Sequence, residues 1–164
     1  MKVLHVITGL NVGGAENMLA KLIEQGGADQ PEVLSLLPPG PIAERITARG
    51  VPVHSLGMRR GMVGPKAMLR VRRLVDRIRP DLIHGWMYHG NLAAWLARRL
   101  APGSPAVAWN IQHSLCGLAV EKRMMRLAIR ANRLLSGRVE ALLYASHAAR
   151  AQHEAFGFSG KRSM

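Results

Sequence analysis

Two adjacent glycines, Gly13 and Gly14, lie between a short apolar run and an amphipathic segment near the start of the chain. The run at residues 3–7 is too short for a helix and contains β-branched residues, so it predicts a buried strand. The segment after the glycines has apolar residues at helical spacing and predicts a helix. Glycine leaves backbone N–H groups accessible, and a helix N-terminus adds about half a positive charge, so an anionic group could bind here. The alternative is that the glycines only allow the strand to turn into its helix.

The spacing of the glycines excludes two classes of nucleotide-binding protein. A dinucleotide fingerprint requires the pattern G-x-G-x-x-G, whereas three residues separate Gly9 from the glycine pair. A P-loop has the spacing found from Gly9 to Gly14, but it requires Lys and then Ser or Thr at the next two positions. Ala15 and Glu16 stand there instead. We therefore do not expect a P-loop ATPase or GTPase.

Apolar runs and amphipathic segments alternate along the whole chain. They predict strands at residues 3–7, 32–37, 51–56, 81–86, 106–112 and 140–145. They predict one helix after the glycines and others at 42–49, 65–79, 91–100, 121–136 and 147–156. This alternation is typical of an α/β fold, a doubly wound Rossmann-like parallel sheet with helices on both faces.

Ligands of a doubly wound sheet bind at the carboxyl ends of its strands. The residues that follow the predicted strands are therefore the candidates for a binding site. They are Gly13 and Gly14, residues 58–61, residues 84–89, His113 and Ser146. Ser146 is also placed to cap the last helix.

The net charge of +13 calls for an anionic partner. Much of it lies in two predicted helices, where basic residues form a stripe opposite an apolar face. In the helix at 65–79, the stripe is Lys66, Arg70, Arg73 and Arg77, opposite Met68, Val71, Leu74, Val75 and Ile78. In the helix at 121–136, it is Arg123, Arg126, Arg130 and Arg133, opposite Met124, Leu127, Ala128, Ala131 and Leu135.

The basic stripes are consistent with a solvated surface or with an anionic membrane, where each well-placed basic residue contributes about 1 kcal/mol. We expect no nucleic-acid partner, because aromatic content is only 4% and no stacking motif accompanies the charge. The chain has no apolar stretch of membrane-spanning length and no secretory leader, which predicts a cytoplasmic protein, peripheral on the inner face of the membrane if lipid is the partner. Cys116 is the only cysteine, so neither an internal disulfide nor a thiol zinc site is expected.

Several segments, in their order and spacing, resemble the N-terminal domain of retaining glycosyltransferases with the GT-B fold, the large family-four group. These segments are K-V-L-H-V-I-T followed by G-G-A-E, then R-P-D-L-I-H-G-W, N-I-Q-H, A-L-L-Y-A-S and E-A-F-G-F. The resemblance covers essentially all 164 residues. It implies transfer of a sugar from a nucleotide sugar to an acceptor hydroxyl with retention, in envelope polysaccharide or glycolipid synthesis. The nucleotide sugar is then a co-substrate, and neither cofactor nor metal is expected.

The resemblance also implies a domain organisation. Residues 1–164 would form the acceptor-side N-terminal domain, which binds a sugar or lipid-linked acceptor. The C-terminal domain, which holds the donor in this family, would be missing, so we expect a fragment that is inactive alone. The competing hypothesis is a non-enzymatic Rossmann-like module recruited to an anionic membrane or another polyanion.

The resemblance further implies roles for individual residues. Gly13 and Gly14 match a loop that covers the donor diphosphate, and Glu16 matches the acidic residue after it. His113 matches a histidine that touches the transferred sugar near the reacting centre. His89 lies where relatives bind the acceptor, in a loop after the fourth strand, and Ser146 follows the sixth strand.

Each of these residues also has a structural interpretation. Glu16 would stabilise the first turn of any helix, and His113 could be a polar residue satisfied at a strand end. His84 is a candidate core residue, and His5 is expected to be structural. A metal site formed by His84, His89 and His113 is conceivable, although their spacing matches no ligand motif.

Overall fold

The computed structural model of the chain describes residues 1–26, 28–58, 64–115, 117 and 121–164. Strands and helices alternate along these residues, as the sequence predicts. In chain order they are β1 (Lys2–Ile7), α1 (Gly14–Glu24), β2 (Gln30–Ser35), α2 (Pro41–Thr47), β3 (Val53–Ser55), α3 (Pro65–Ile78), β4 (Leu82–Trp86), α4 (Met87–Leu100), β5 (Ala106–Ile111), α5 (Arg123–Leu135), β6 (Ala141–Tyr144) and α6 (His147–Ala155). Two short 3-10 turns, Ser136–Arg138 and Gly160–Arg162, follow α5 and α6.

The strands form one parallel sheet in the order β3-β2-β1-β4-β5-β6. This is the strand order of a doubly wound Rossmann-like fold, so the predicted fold class is confirmed. The chain leaves β1 toward one edge of the sheet and leaves β4 toward the other. A crevice forms where these directions diverge, at the carboxyl ends of the two central strands.

Helices cover both faces of the sheet. On one face, α1 and α2 bury Leu19 and Ile46 in a cluster with Ile7 of β1. On the other face, α3 and α4 bury Val75 and Ala94 with the central strands. A third cluster packs α5 against the start of α4 and the end of β5. Alternate residues of the buried strands therefore face opposite layers, as parallel sheets require.

Helix α4 begins at Met87, so the predicted start at Asn91 and the predicted loop after the fourth strand are wrong. Trp86 ends β4 and is also the N-cap of α4. Two glycines make this junction possible. A Cβ on Gly85 would lie 2.6 Å from the Cα of Asn91, and a Cβ on Gly90 would lie 2.6 Å from the carbonyl oxygen of Val6. Glycine has a low helix propensity, so these residues argue against a helix in the sequence. In the structure they instead allow the helix to touch the sheet, because they have no side chain.

The predicted apolar face of α5 is confirmed only in part, because Ala128 is buried and Leu135 packs against the core, while the other large side chains of that face are exposed. Met124 and Leu127 are 59% and 57% exposed, and Leu134 is 71% exposed. The buried residues of the helix are Ala128, Ile129 and Asn132. The difference arises from Asn132, which is buried in the core. A prediction from hydrophobic residues alone places an asparagine on the solvent side of the helix.

Asn132 is fully buried because α4 offers it a partner. Its Nδ2 donates hydrogen bonds to the carbonyl oxygens of Tyr88 and Ala128, at 2.9 and 2.8 Å. A buried polar side chain is tolerated when it is hydrogen-bonded in this way.

The apolar face predicted for α3 is largely confirmed. Val71, Leu74, Val75 and Ile78 are buried, and Met68 is 39% exposed. Two of its arginines are not simply solvated. Arg70 donates to the carbonyl oxygen of Leu56 at 3.0 Å, and Arg77 lies 3.5 Å from Nε2 of His54. In the part of the chain that the structure describes, no helix has the length and apolar character needed to cross a bilayer.

Candidate functional site

The glycine loop joins β1 to α1 at the carboxyl edge of the sheet. Gly13 is the N-cap of α1 and Gly14 is the first residue of the helix. A Cβ on Gly14 would meet no atom within 4 Å, so the backbone is open to an approaching ligand at this position. The carbonyl oxygen of Gly13 accepts hydrogen bonds from the backbone N and from Nδ2 of Asn17, at 3.0 and 2.8 Å.

Glu16 folds back over Gly13. A Cβ on Gly13 would collide with the Glu16 carboxylate, whose Cδ lies 3.0 Å from that position. The carboxylate thus interacts favourably with the positive end of the helix dipole. An anion that approached Gly13 would displace this carboxylate, whereas an anion that approached Gly14 would meet open backbone.

The loop is held from the side by the segment that leads into α2. The backbone N of Ile42 donates to the carbonyl oxygen of Leu10 at 3.0 Å. A Cβ on Gly40 would lie 2.6 Å from the same carbonyl oxygen and 2.6 Å from Oδ1 of Asn11. These close contacts fix the path of the chain between β1 and the glycine pair.

His113 follows β5 and is paired with a carboxylate. Its Nε2 lies 2.9 Å from Oε1 of Glu121, and the two side chains are 39% and 19% exposed. The next turn of the chain is anchored to α6, because the backbone N of Leu115 donates to Oε1 of Gln152 at 2.8 Å. His113 therefore lies on a loop that is held at both sides.

Beneath His113 lies a buried pair formed by Tyr88 and His153. The Tyr88 ring meets His113 edge-on, with 6.0 Å between ring centroids, and its hydroxyl lies 2.6 Å from Nε2 of His153. Nδ1 of His153 lies 2.7 Å from the carbonyl oxygen of Ala149. A carbonyl can only accept, so Nδ1 carries the proton and Nε2 accepts from the Tyr88 hydroxyl.

Burial keeps both members of this pair neutral. It lowers the pKa of His153 below its ordinary value. It also raises the pKa of Tyr88 well above its ordinary value, and the nearby charge of Glu121 adds to this effect. Neither group therefore changes its protonation state near neutral pH.

His5, His84 and Trp86 form a separate buried cluster on the two central strands. His5 and His84 are register partners, and 5.2 Å separates their ring centroids. Nε1 of Trp86 donates to Nδ1 of His5 at 3.3 Å. Burial lowers the pKa of His84 to about 4. Burial and then the neighbouring His84 lower the pKa of His5 to about 3.

His89 and Ser146 lie at the N-terminal ends of two helices. His89 is half-buried in the first turn of α4, and burial lowers its pKa. Ser146 is the N-cap of α6, and its Oγ accepts a hydrogen bond from the backbone N of Ala149 at 3.1 Å. Of the other candidate positions, residues 59–61 and also Cys116 lie outside the described residues.

The structure thus brings His113 together with Glu121, Tyr88 and His153. The sequence analysis selected neither Glu121 nor His153. Tyr88 lies in the candidate range 84–89, but the sequence analysis assigned roles only to the two histidines of that range. Within residues 1–26, 28–58, 64–115, 117 and 121–164, no three His, Cys, Asp or Glu side chains are grouped so that they could hold a metal ion.

Comparison with known proteins identifies the family. Residues 13–163 match the model described as glycosyl transferase 4-like domain. This match spans most of the chain, so the protein belongs to the glycosyl transferase 4-like family. A comparison with curated protein sequences gives no significant match.

Solved structures share the fold at low sequence identity. Anabaena Alr3699/HepE in complex with UDP and glucose has a TM-score of 0.77 and 17% identity, covering 100% of this chain and 43% of that chain. The apo form of the lipopolysaccharide outer core galactosyltransferase WaaB has a TM-score of 0.72 and 14% identity, covering 100% of this chain and 44% of that chain. A glycosyltransferase from Rickettsia africae ESF-5 has a TM-score of 0.62 and 11% identity, covering 99% and 41%.

The chain therefore spans less than half the length of these structures. Together with the family match, they confirm the resemblance to the N-terminal domain of GT-B glycosyltransferases. The Rossmann-like sheet described above is one half of that architecture.

Proposed function

We propose that this chain is the acceptor-side half of a glycosyltransferase that moves a sugar from a nucleotide sugar to an acceptor hydroxyl, with retention of configuration. One observation carries the proposal. The open helix N-terminus at Gly14 and the anchored His113 follow strands β1 and β5 of the same parallel sheet, at its carboxyl edge. The complex of HepE with UDP and glucose supports a nucleotide-sugar donor.

The role of this half in the reaction is electrostatic. Backbone N–H groups at the start of α1 stabilise negative charge on the departing diphosphate, which itself takes the proton of the acceptor hydroxyl. Glu16 must turn away from Gly13 when the diphosphate arrives. His113 donates to or accepts from a hydroxyl of the transferred sugar. Because the diphosphate takes the proton and the protein supplies only electrostatic stabilisation, the reaction needs no protein nucleophile.

The acceptor in this proposal is a sugar or a lipid-linked sugar. His89 in the first turn of α4 contacts it, and the Ser146 hydroxyl, whose oxygen caps α6, still has a hydrogen to donate. Synthesis of envelope polysaccharide or glycolipid is supported by WaaB, which is described as a lipopolysaccharide outer core galactosyltransferase.

A peripheral position on an anionic membrane completes the proposal. The outward face of α5 presents Leu127 and Leu134 beside Arg123 and Arg130, and all four are exposed. Apolar side chains can enter the acyl boundary while arginines bind headgroup phosphates. This arrangement brings the enzyme to a lipid-linked acceptor.

Activity assays test the proposed reaction. We expect the 164-residue chain alone to transfer no sugar from a panel of nucleotide sugars, and a chain extended through a donor-binding domain to transfer one. In the extended chain, His113→Ala should lower kcat about 100-fold, because one preorganised hydrogen bond to the reacting sugar is lost.

The matched control is His147→Ala, which removes an exposed histidine from α6. It should leave kcat unchanged. Turnover by the 164-residue chain equal to that of the extended chain would contradict the domain assignment. Unchanged kinetics of His113→Ala would remove that residue from the site.

A further inference from the structure

We infer that Glu121 is a positioning residue for His113, which it holds in a single tautomer with Nδ1 available to the substrate. The inference rests on the proposed function, in which His113 contacts the transferred sugar. It adds a residue that no motif in the sequence indicates. The contact that carries it is the 2.9 Å distance between Nε2 of His113 and Oε1 of Glu121.

Glu121 is well placed to orient another side chain because it is itself held. It directly precedes Lys122, the N-cap of α5. That helix is fixed to the domain by Ile129 in the core and by the hydrogen bond from Asn132 to the carbonyl oxygen of Tyr88. The Glu121 side chain is only 19% exposed, so little water competes with His113 for its carboxylate.

The chemistry of the pair sets the proton position. A carboxylate has only acceptor oxygens, so a hydrogen bond to it requires a proton on Nε2 of His113. The neutral ring then has its lone pair at Nδ1, which accepts a hydrogen bond from a sugar hydroxyl. If the ring is protonated, Nδ1 becomes a donor and Glu121 balances the charge.

The other neighbours of His113 limit rotation of its ring. Tyr88 meets the imidazole edge-on, and the Tyr88 hydroxyl is fixed by His153. His153 in turn is fixed by the carbonyl oxygen of Ala149. The orientation of His113 is therefore set by Glu121, just before α5, together with buried side chains on α4 and α6.

The first test is spectroscopic and needs no activity. In the 164-residue chain labelled with ¹⁵N-histidine, we expect the neutral form of the His113 ring to be entirely the Nε2–H tautomer. Glu121→Gln should keep this tautomer, because the amide oxygen still accepts. Glu121→Ala should give a mixture of tautomers and faster exchange of the Nε2 proton with water. An identical His113 spectrum in Glu121→Ala would overturn the inference.

The second test is kinetic and uses the extended chain. Glu121→Ala should lower kcat about 10-fold with a smaller change in KM, because the sugar still binds but meets a poorly oriented imidazole. The matched control is Glu44→Ala, which removes an exposed glutamate from α2. Equal kcat in the Glu121→Ala variant and the control would count against the positioning role.

The two tests separate the inference from the proposed function. If no extended chain transfers sugar, the proposed function fails, while the tautomer measurement still decides whether Glu121 orients His113. If the tautomer does not depend on Glu121, the inference fails whatever the activity.

Discussion

At the scale of the residue, the histidines of this domain differ by what surrounds them. His5, His84 and His153 are buried among aromatic rings, and burial lowers the pKa of each. His113 is 39% exposed and faces a carboxylate. The buried histidines therefore support the fold as neutral groups, while the half-exposed His113 can form hydrogen bonds with a ligand.

Acid should destabilise the domain through His5 and His84. Burial holds their folded-state pKa values at about 3 and about 4, below the ordinary value of 6.5. As pH falls from 6.5, the unfolded chain takes up protons that the folded chain refuses, so the stability present above pH 6.5 is progressively lost. Each histidine contributes about 1 kcal/mol per pH unit. Urea unfolding between pH 6.5 and 4.5 measures this slope.

The variant His84→Leu provides the control for that slope. His5 accepts the hydrogen bond from Trp86, so His84 can be replaced without leaving that donor unpaired. In this variant, the dependence of unfolding free energy on pH should be smaller by the contribution of one histidine, about 1 kcal/mol per pH unit. A pH dependence that is the same in both proteins would show that His84 does not remain neutral in the fold.

Gly90→Ala should destabilise the domain by roughly 1–3 kcal/mol, the usual cost of overpacking. The new methyl group would lie 2.6 Å from the carbonyl oxygen of Val6 and 3.3 Å from the Cα of Ile7, and neither backbone atom can move freely. Thermal or urea unfolding measures the change. Gly137→Ala is the control, because its Cβ would have no neighbour closer than 4.0 Å. Equal stability of the two variants would contradict the close contact between α4 and β1.

The sequence predicted only part of the candidate site. The glycine pair and His113 were found because they follow predicted strands. Glu121 was not found, and Tyr88 was included only within the range 84–89. Their contacts with His113 depend on how α4 and the segment before α5 pack near the end of β5. No spacing of residues along the sequence indicates these contacts.

At the scale of the element, α5 combines a buried polar residue with exposed apolar ones. Asn132 is buried, while Met124, Leu127 and Leu134 are exposed among arginines. Exposed apolar side chains beside basic ones are typical of helices that lie in a membrane interface. Helix α3 also exposes Leu69, but its Arg70 is engaged by the carbonyl oxygen of Leu56, which makes that helix the weaker candidate.

The domain should therefore bind vesicles that contain anionic lipid through α5. Cosedimentation should fall as salt rises, because the attraction is screened beyond about 8–10 Å at physiological ionic strength. The double variant Leu127→Gln with Leu134→Gln should weaken binding severalfold, because two apolar side chains no longer enter the bilayer.

Leu69→Gln is the matched control for the membrane experiment, since Leu69 is 50% exposed on α3. It should leave binding unchanged. Equal binding to neutral vesicles would mean that the arginines contribute nothing. A loss caused by Leu69→Gln alone would assign the interface to α3.

The elements themselves were predictable because each carries a strong local pattern. The errors arose where tertiary contacts override that pattern. Gly85 and Gly90 allow α4 to begin inside a predicted loop, and the carbonyl oxygen of Tyr88 allows Asn132 to face the core. A single polar partner is enough to rotate the buried face of a helix away from its apparent position.

At the scale of the whole molecule, the fold class followed from alternation, but the order of the strands did not. Four of the five neighbouring pairs among the described strands are consecutive in the chain. The fifth, the central pair of β1 and β4, joins residues 79 positions apart, as Val3 and Leu82 show. The choice of central strands decides where the crevice lies. That choice depends on packing of all helices together.

The direct junction of β4 and α4 also determines how this half can move. The helix has no linker at its start and rests on the backbone of β1 through Gly90, so it has no hinge of its own. We therefore expect α4 and the central sheet to move together as one rigid body. The residues that follow β4 therefore form a fixed wall at the carboxyl edge of the sheet, and a ligand that binds there must fit the shape of this wall.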